Sequence, residues 1–529
     1  MTANPPASSI GPSPGPSPGP APGSSPKSTA PLLVATLTDP AELERCPREV
    51  LERVCVLEVR ADLTGEIERE WIAGRFAGST LYTLRSRDEG GRAEGDGEAR
   101  WRRLAAAGAS WDLVDLELDR DLTPAVLEAV PPERRVLSWH GDAADLETLH
   151  ALVERMDRTG ARYSKLVPAA QRSGQELAPL DLLFDLKRDD VTAFATGEIG
   201  AWTRVLAPAL GAPLVFGSLG SAPAAPGQPT IDRLVRDYGL PRPLRPSRLC
   251  GIVGRPVGHS LSPRLHNGAY RHLGIDALYL AFHAESFGEF WIEVLESGRF
   301  EEWGMPLQGL SVTAPYKEAA LALAGASSPR AQAIGGANTL VLERGVWEAE
   351  STDPEGVIEP LARRGLVLSG SRAAVLGCGG AGRAAAVGLE RAGFEVTLFN
   401  RGRTRLRRAA ADLGLEAGEW ESFEPGDYDV VVHATALGHA VDDPLPFEPA
   451  RLAPRSVVVD MVYDAHETPL IAAARAAGRR VVTGREVLMG QALKQFQAMN
   501  DRELPRELAA ELLGLDLAEL GPNPAETPS

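Results

Sequence analysis

Between residue 32 and about residue 220, one local pattern recurs eight times. Short apolar segments rich in Val, Leu and Phe stand at 32–37, 54–60, 80–86, 112–118, 135–140, 162–168, 191–197 and 213–219. Most intervals between them have helical length or pattern, as in AELERCPREVLER and ADLETLHALVERMDRTG. The intervals before the fourth and eighth segments carry that pattern least. Alternation of strand and helix over eight repeats predicts an α/β fold that opens with a (βα)8 TIM barrel over 32–240.

Chemistry in such a barrel sits at the C-terminal ends of the strands, and the polar residues there are unusual. Segment two ends in Glu58-Val59-Arg60, and segment three in Arg85, with Glu89 just beyond. Segment five ends in His140, segment six carries Lys165, and Arg204 follows segment seven. Three arginines converging on one mouth predict an anionic substrate, because guanidinium pairs bidentately with carboxylate. Lys165 stands in the otherwise apolar YSKLVPAA. Burial lowers an amine's pKa, and a neutral amine attacks ketones. His140 can move protons near neutral pH. The set describes imine chemistry on an oxo-acid. Taken singly, each residue has a plainer reading: a structural histidine, an edge-strand lysine, an arginine in a surface ion pair.

The stretch LPRPLRPSR contains an interdomain linker, 241–248, and a second α/β pattern follows. Its clearest unit is strand AAVLG, the turn Gly377-Cys378-Gly379-Gly380-Ala381-Gly382, a helix and strand EVTLFN. The turn is a full GxGxxG, whose glycines let backbone N–H groups approach a pyrophosphate at a helix N-terminus. The next strand ends in Asn400-Arg401, with Arg403 and Arg405 nearby. NAD-binding folds place an acid near this point; a basic cluster fits the 2′-phosphate of NADP, or is a plain exposed basic turn. Upstream, GRPVGHSLSPRLHN offers the hydroxyls of Ser260 and Ser262 to a carboxylate or hydroxyl. Ser262 before Pro263 is equally suited to cap a helix. SVTAPYK contributes Lys317, GGANTL Asn338 and STD Asp353. A Lys and an Asp facing one alcohol can manage the proton that leaves with hydride transfer; singly, they read as a solvated helix lysine and a turn or cap aspartate. These strings resemble a known dehydrogenase family, and that resemblance implies a two-subdomain layout: a substrate-binding part at 249–366, a Rossmann part at 367–484, and C-terminal helices at 485–518 returning to the first part.

Net charge is −17, which argues against nucleic acid and anionic membrane partners. Cys46, Cys55, Cys250 and Cys378 show no metal-ligand spacing, and scattered thiols suit a cytoplasmic protein. Residues 1–31 are Pro/Ser/Gly-rich with one charge, Lys27. They lack the apolar core of a signal peptide and the arginines of a transit peptide, and read as a disordered tail, as does 519–529.

Over 32–240 the strings LEVRAD, TLRSRDEGG, LSWHG, SKLVPAA, GEIGAWTR and APGQPT resemble the type I 3-dehydroquinate dehydratase family. The resemblance implies an imine lysine at Lys165 and an acid–base histidine at His140. It also implies substrate contacts at Glu58, Arg60, Arg85, Glu89, Arg204 and Gln228. Ala224 stands where the family often has Ser, which removes a hydroxyl near the lid; Thr203 stands for Ser and keeps one. From 249 to 515 the second set of strings resembles shikimate dehydrogenase. This implies substrate contacts at Ser260, Ser262, Lys317, Asn338, Asp353 and Gln491, and Tyr463 by the nicotinamide. Departures are Ser311 in SVT for NVT, Ser351 and Pro354 in STDPEG, and GREVLMGQ for GxxMLVxQ. Ser311 is expected to weaken one substrate hydrogen bond. The SxS pair favours shikimate over quinate.

The order of the halves resembles the fused enzyme of plants and some bacteria. It implies consecutive reactions, 3-dehydroquinate to 3-dehydroshikimate, then NADPH-dependent reduction to shikimate. A rival class, quinate-sensing regulators that reuse both domains without catalysis, would have lost Lys165, His140, Lys317 and Asp353.

Overall fold

The computed structural model describes residues 30–520 apart from 95–96, 221, 367–368, 441 and 464–466. Both expected tails lie outside these residues except for their inner ends, 30–31 and 519–520. The first eight strands are β1 (Leu32–Leu37), β2 (Val56–Arg60), β3 (Ser79–Thr83), β4 (Leu113–Glu117), β5 (Arg135–Gly141), β6 (Tyr163–Pro168), β7 (Val191–Ala193) and β8 (Leu214–Ser218). They form one sheet in the order β7-β6-β5-β4-β3-β2-β1-β8. Leu214 N donates to Thr192 Oγ1 at 3.2 Å across the seam between β7 and β8, so the sheet curls into a barrel.

Side chains alternate between the faces of a strand, and here that alternation sorts residues by chemistry. Val34, Val56, Leu81, Leu113, Val136, Val167, Phe194, Leu214 and Phe216 form the inner apolar cluster. Their neighbours Leu33, Ala35, Leu57, Leu137 and Leu166 belong to the large core under the helices. The inward parity also carries Thr36, Glu58, Arg60, Arg85, Asp115, Ser138, His140 and Lys165. Strands β1 to β5 thus give the interior an apolar floor and a polar upper layer, and β6 adds Lys165 below Val167.

Two expectations shift in detail. The third helical interval holds a 13-residue helix, Glu98–Ser110, whereas the seventh holds only Thr203–Leu206 and a 3₁₀ turn, Ala207–Leu210. Pro208 supplies no N–H there. β7 stops at Ala193 rather than 197; Thr196 still bridges Ala169, and the chain then turns at Gly197, whose φ of +96° favours glycine.

The second sheet is mixed. Its strands are β9 (Arg248–Gly254), β10 (Ala277–His283), β11 (Leu307–Val312), β12 (Ala326–Ser327), β13 (Thr339–Glu343) and β14 (Val346–Glu350), in the order β10-β9-β11-β13-β14-β12. The third sheet is parallel throughout. It comprises β15 (Arg372–Leu376), β16 (Glu395–Phe399), β17 (Glu416–Gly418), β18 (Val430–His433), β19 (Val457–Asp460) and β20 (Arg480–Val482), ordered β17-β16-β15-β18-β19-β20. This is the doubly wound Rossmann order, with its switch point between β15 and β18, where such folds bind ligands. The helix Gly484–Asn500 opens with a capping box between Thr483 and Glu486. Its Met489, Ala492 and Phe496 pack with Cys250, Ile252 and Tyr279 of the second sheet.

One apolar core runs from the barrel into the second sheet. Trp202 of the barrel meets Phe282 of β10 with ring centroids 5.1 Å apart, and Trp303 Nε1 donates to Asp181 Oδ1 at 3.1 Å. Leu240 and Leu244 are buried at this junction, and β9 begins at Arg248, the last residue of the expected linker. Among the described residues no helix is long and apolar enough to cross a membrane.

Candidate active sites

Glu58, Arg60, Arg85, Glu89, His140, Lys165, Arg204 and Gln228 all line one cavity of about 380 Å³ at the mouth of the barrel. Lys165 is 5 % exposed, and its Nζ lies 4.0 Å from the centroid of the Phe216 ring. Burial holds its pKa below the usual amine value, although Glu58 and Asp115 pull the other way. Among the described residues no carboxylate is in ion-pair contact with it. Burial, and then the charges of Arg85 and Lys165, hold the His140 imidazole neutral. Glu89 Oε2 lies 2.8 Å from His140 Nδ1, and burial pushes that carboxyl up to about 8. One proton lies on this line, and Nε2 is the ring nitrogen left for other groups.

The three arginines are not equivalent. Arg60 grips Asp62 through two hydrogen bonds of 2.8 Å. Arg85 meets Glu89 and Asp115 at 2.9 Å and Glu117 at 3.3 Å. Arg204 has no carboxylate in contact among the described residues. Its guanidinium lies over the Phe194 ring at 4.3 Å, its buried Nε has no partner, and burial holds its pKa down to about 10. It is therefore the arginine with capacity left for an anion. A threonine-centred network fixes the opposite wall: Gln228 Nε2 donates to Thr36 Oγ1 at 3.1 Å, and Thr36 and Thr83 donate to Glu58 at 2.6 and 2.9 Å. Gln228 Oε1 also accepts from Ala224 N at 3.1 Å, so the APGQ loop is tied to β1. The Thr203 hydroxyl accepts from Ala195 N and donates to Gly200 O; it braces a turn. Sequence reading missed Asp115 and Ser138, which hold Arg85. Their signal was present, since both are polar residues at inward parity in apolar strands.

In the second half, Lys317 and Asp353, each at the first turn of its helix, form an ion pair. Asn338 Nδ2 donates to Asp353 Oδ1 at 2.8 Å and to Gln491 Oε1 at 2.9 Å. These four residues are thus one cluster. The glycine-rich turn abuts it: a Cβ on Gly380 would stand 3.1 Å from Lys317 Cδ. Ser262 N donates to Ser260 Oγ at 3.2 Å; Ser262 is the first residue of the helix Ser262–Leu273, whose N-cap position is Leu261. Burial pushes the Tyr463 phenol up, against a hydrogen bond with Ser260. The serines reach Asn338 through a buried relay: Tyr279 bonds Ser262 and donates to Ser311 Oγ at 2.6 Å. Ser311 donates to Gln495 at 3.1 Å, and Gln495 donates to Asn338 O at 2.9 Å. The Ser311 hydroxyl thus has partners within the protein, on Tyr279 and Gln495, and the residue is 2 % exposed.

The turn at 377–382 fits a dinucleotide. Gly377 has φ +114°, and a Cβ there would fall 2.5 Å from Ala434 O. At Gly382 a Cβ would meet Gly377 O at 2.0 Å, while the space over Gly379 is open to beyond 4 Å. Ala381 lies in the first turn of the helix Gly380–Arg391. Asn400 Oδ1 accepts from Cys378 N at 3.4 Å. Arg401 and Arg405 are exposed and form no ion pair among the described residues; Arg403 lies within 4 Å of Glu419 and Glu421.

A barrel lyase with an amine in its wall, joined to a dinucleotide-dependent dehydrogenase, is the class that fold and sites define. Residues 35–242 match the type I 3-dehydroquinase family and 252–340 the shikimate dehydrogenase substrate binding domain. A shikimate dehydrogenase (NADP(+)) of Oleidesulfovibrio alaskensis is 38 % identical over 283 residues, 52 % of this chain and 98 % of that protein. Its counterpart in Acidiphilium cryptum is 39 % identical over 278 residues, 51 % and 98 % of the two chains. A chloroplastic bifunctional 3-dehydroquinate dehydratase/shikimate dehydrogenase of Arabidopsis thaliana is 29 % identical over 511 residues, 89 % of this chain and 82 % of that protein. The chain belongs to the shikimate dehydrogenase family, and it carries a type I 3-dehydroquinase barrel ahead of that part.

Proposed function

We propose that the chain dehydrates 3-dehydroquinate to 3-dehydroshikimate in the barrel and reduces that product to shikimate in the second half. The observation that carries this reading is a buried amine and a buried, carboxylate-free guanidinium in one cavity wall. In our reading, the Lys165 amine adds to the ketone and expels water, giving an imine that acidifies the adjacent C–H. His140 takes that proton and returns one to the departing hydroxyl; hydrolysis then frees the amine. Arg204 holds the substrate carboxylate, and Arg60, Arg85, Glu58, Glu89 and Gln228 hold hydroxyls or shape the wall.

In the second half Ser260, Ser262, Asn338 and Gln491 bind the substrate. NADPH supplies a hydride when bound, its pyrophosphate at 377–382 and its 2′-phosphate at Asn400, Arg401 and Arg405. Lys317 delivers the proton to the carbonyl oxygen, Asp353 orients Lys317, and Tyr463 borders the nicotinamide. We place the protein in the cytoplasm, on its scattered cysteines and acidic composition. The test is to feed the purified chain 3-dehydroquinate alone and then with NADPH. Enone absorbance should rise and then fall as NADPH is consumed. No enone in the first step refutes the lyase, and a persistent enone in the second refutes the reductase.

A further inference from the structure

The serine loop of the dehydrogenase is gripped from outside its own unit. Arg233 lies on the helix Ile231–Arg236, the last of the barrel. Its Nη2 donates to the backbone carbonyl of Ser260 at 3.1 Å, and its Nε donates to Asp237 Oδ2 at 2.9 Å. Asp237, 1 % exposed, accepts on its other oxygen from Arg264 Nε at 2.7 Å. Arg264 belongs to the helix Ser262–Leu273. One buried carboxylate of the barrel thus clamps the arginine that holds Ser260 and the helix that begins at Ser262. The charge of Arg233 also reaches the Tyr463 phenol, which bonds Ser260. The barrel cavity is close along the chain: Thr230 Oγ1 caps the Arg233 helix, two residues beyond Gln228.

We infer that Arg233, held by Asp237, is a positioning residue for the dehydrogenase reaction. The barrel provides the support that fixes the backbone at Ser260, and with it the direction of the two serine hydroxyls. This rests on the reading that those hydroxyls bind shikimate. A carbonyl tethered by a guanidinium cannot rotate freely about its peptide plane. Without the tether, substrate in the ground state and in the transition state loses the same contacts, which raises KM and leaves kcat unchanged.

The test uses the full chain with Arg233→Gln, Arg233→Lys and Asp237→Asn, assayed for shikimate oxidation, NADP⁺ KM and dehydration. Arg233→Gln should raise the shikimate KM roughly tenfold, the scale of one charge-assisted hydrogen bond. Its kcat, its NADP⁺ KM and its dehydration should stay within about twofold of the parent. Asp237→Asn should move in the same direction, and Arg233→Lys should recover most of the loss. An unchanged shikimate KM in Arg233→Gln and Asp237→Asn overturns the inference. So does a matched decline in dehydration and NADP⁺ binding, which marks general loosening of the fold. A parent chain that leaves shikimate untouched sinks the reading of the second half itself, a result visible before any variant is made.

Discussion

Arg204 gives the sharpest test of the barrel, because its environment sets stability against function. Its pKa is held down to about 10 by burial, against a usual guanidinium value of about 12.5. At about 1.36 kcal/mol per pKa unit, keeping this charge costs the fold roughly 3 kcal/mol at neutral pH. The stacking on Phe194 returns about 0.5–2 kcal/mol. Arg204→Met keeps the length of the side chain and removes the charge, so it should stabilise the chain by about 1–2 kcal/mol. In a domain of this size that is a rise in Tm of roughly 2–8 °C. The folded-state pKa lies below the unfolded one, so the penalty is complete below about pH 10 and fades only as pH rises through that value. The gain in Tm should therefore be level across roughly pH 6 to 9.

On the proposed reading, the same substitution removes the partner of the substrate carboxylate. Truncating one side of a buried charged pair costs about 2–5 kcal/mol, about 30- to 3000-fold in dehydratase kcat/KM. Shikimate oxidation in the same preparation should be unaffected. Thermal melts and the enone assay measure the two effects. A lower Tm for the variant, or a dehydratase kcat/KM within about threefold of the parent, refutes the reasoning.

Three further outcomes are expected. Borohydride added with 3-dehydroquinate should fix a mass adduct on the Lys165 peptide, and Lys165→Met should lose both adduct and dehydration while shikimate oxidation survives; an adduct on another lysine reassigns the nucleophile. Arg401→Ala should raise the NADP⁺ KM roughly ten- to a hundredfold and spare NAD⁺, from the loss of one charge-assisted contact, and equal use of both cofactors by the parent contradicts the basic-cluster reading. Lys317→Ala and Asp353→Ala should each lower shikimate oxidation about 10²–10⁴-fold, with a double variant little worse than the weaker single; full additivity separates their roles.

Much of this was legible in the sequence because strand alternation is a local rule. Glu58, Arg85, His140 and Lys165 announce themselves as polar residues at inward parity in apolar segments. The overlong seventh segment failed for a local reason too: AFATGEIG stays apolar past the point where Gly197 turns the chain. What the sequence could not tell is which arginine is free. Arg60, Arg85 and Arg204 look alike until Asp62, Asp115 and Glu117 are brought beside the first two. The partners of Ser311 were hidden for the same cause, since Tyr279 and Gln495 lie 32 and 184 residues away. Arg233 carries no motif at all; its meaning comes from the contact between two units.

The two central lysines stand in opposite environments, which suit the two tasks proposed for them. Lys165 lies on an aromatic face at 4.0 Å with no carboxylate in contact among the described residues, and burial disfavours its charge. An amine so placed keeps a lone pair available and is suited to attack a carbonyl carbon. Lys317 stands in an ion pair with Asp353, whose other oxygen is occupied by Asn338. An amine held against a carboxylate is placed to pass a proton to a carbonyl oxygen. Asp353→Leu should leave Lys317 without its partner and the dehydrogenase without its oriented proton, while the barrel, whose cavity contains neither residue, should continue to form imines on Lys165.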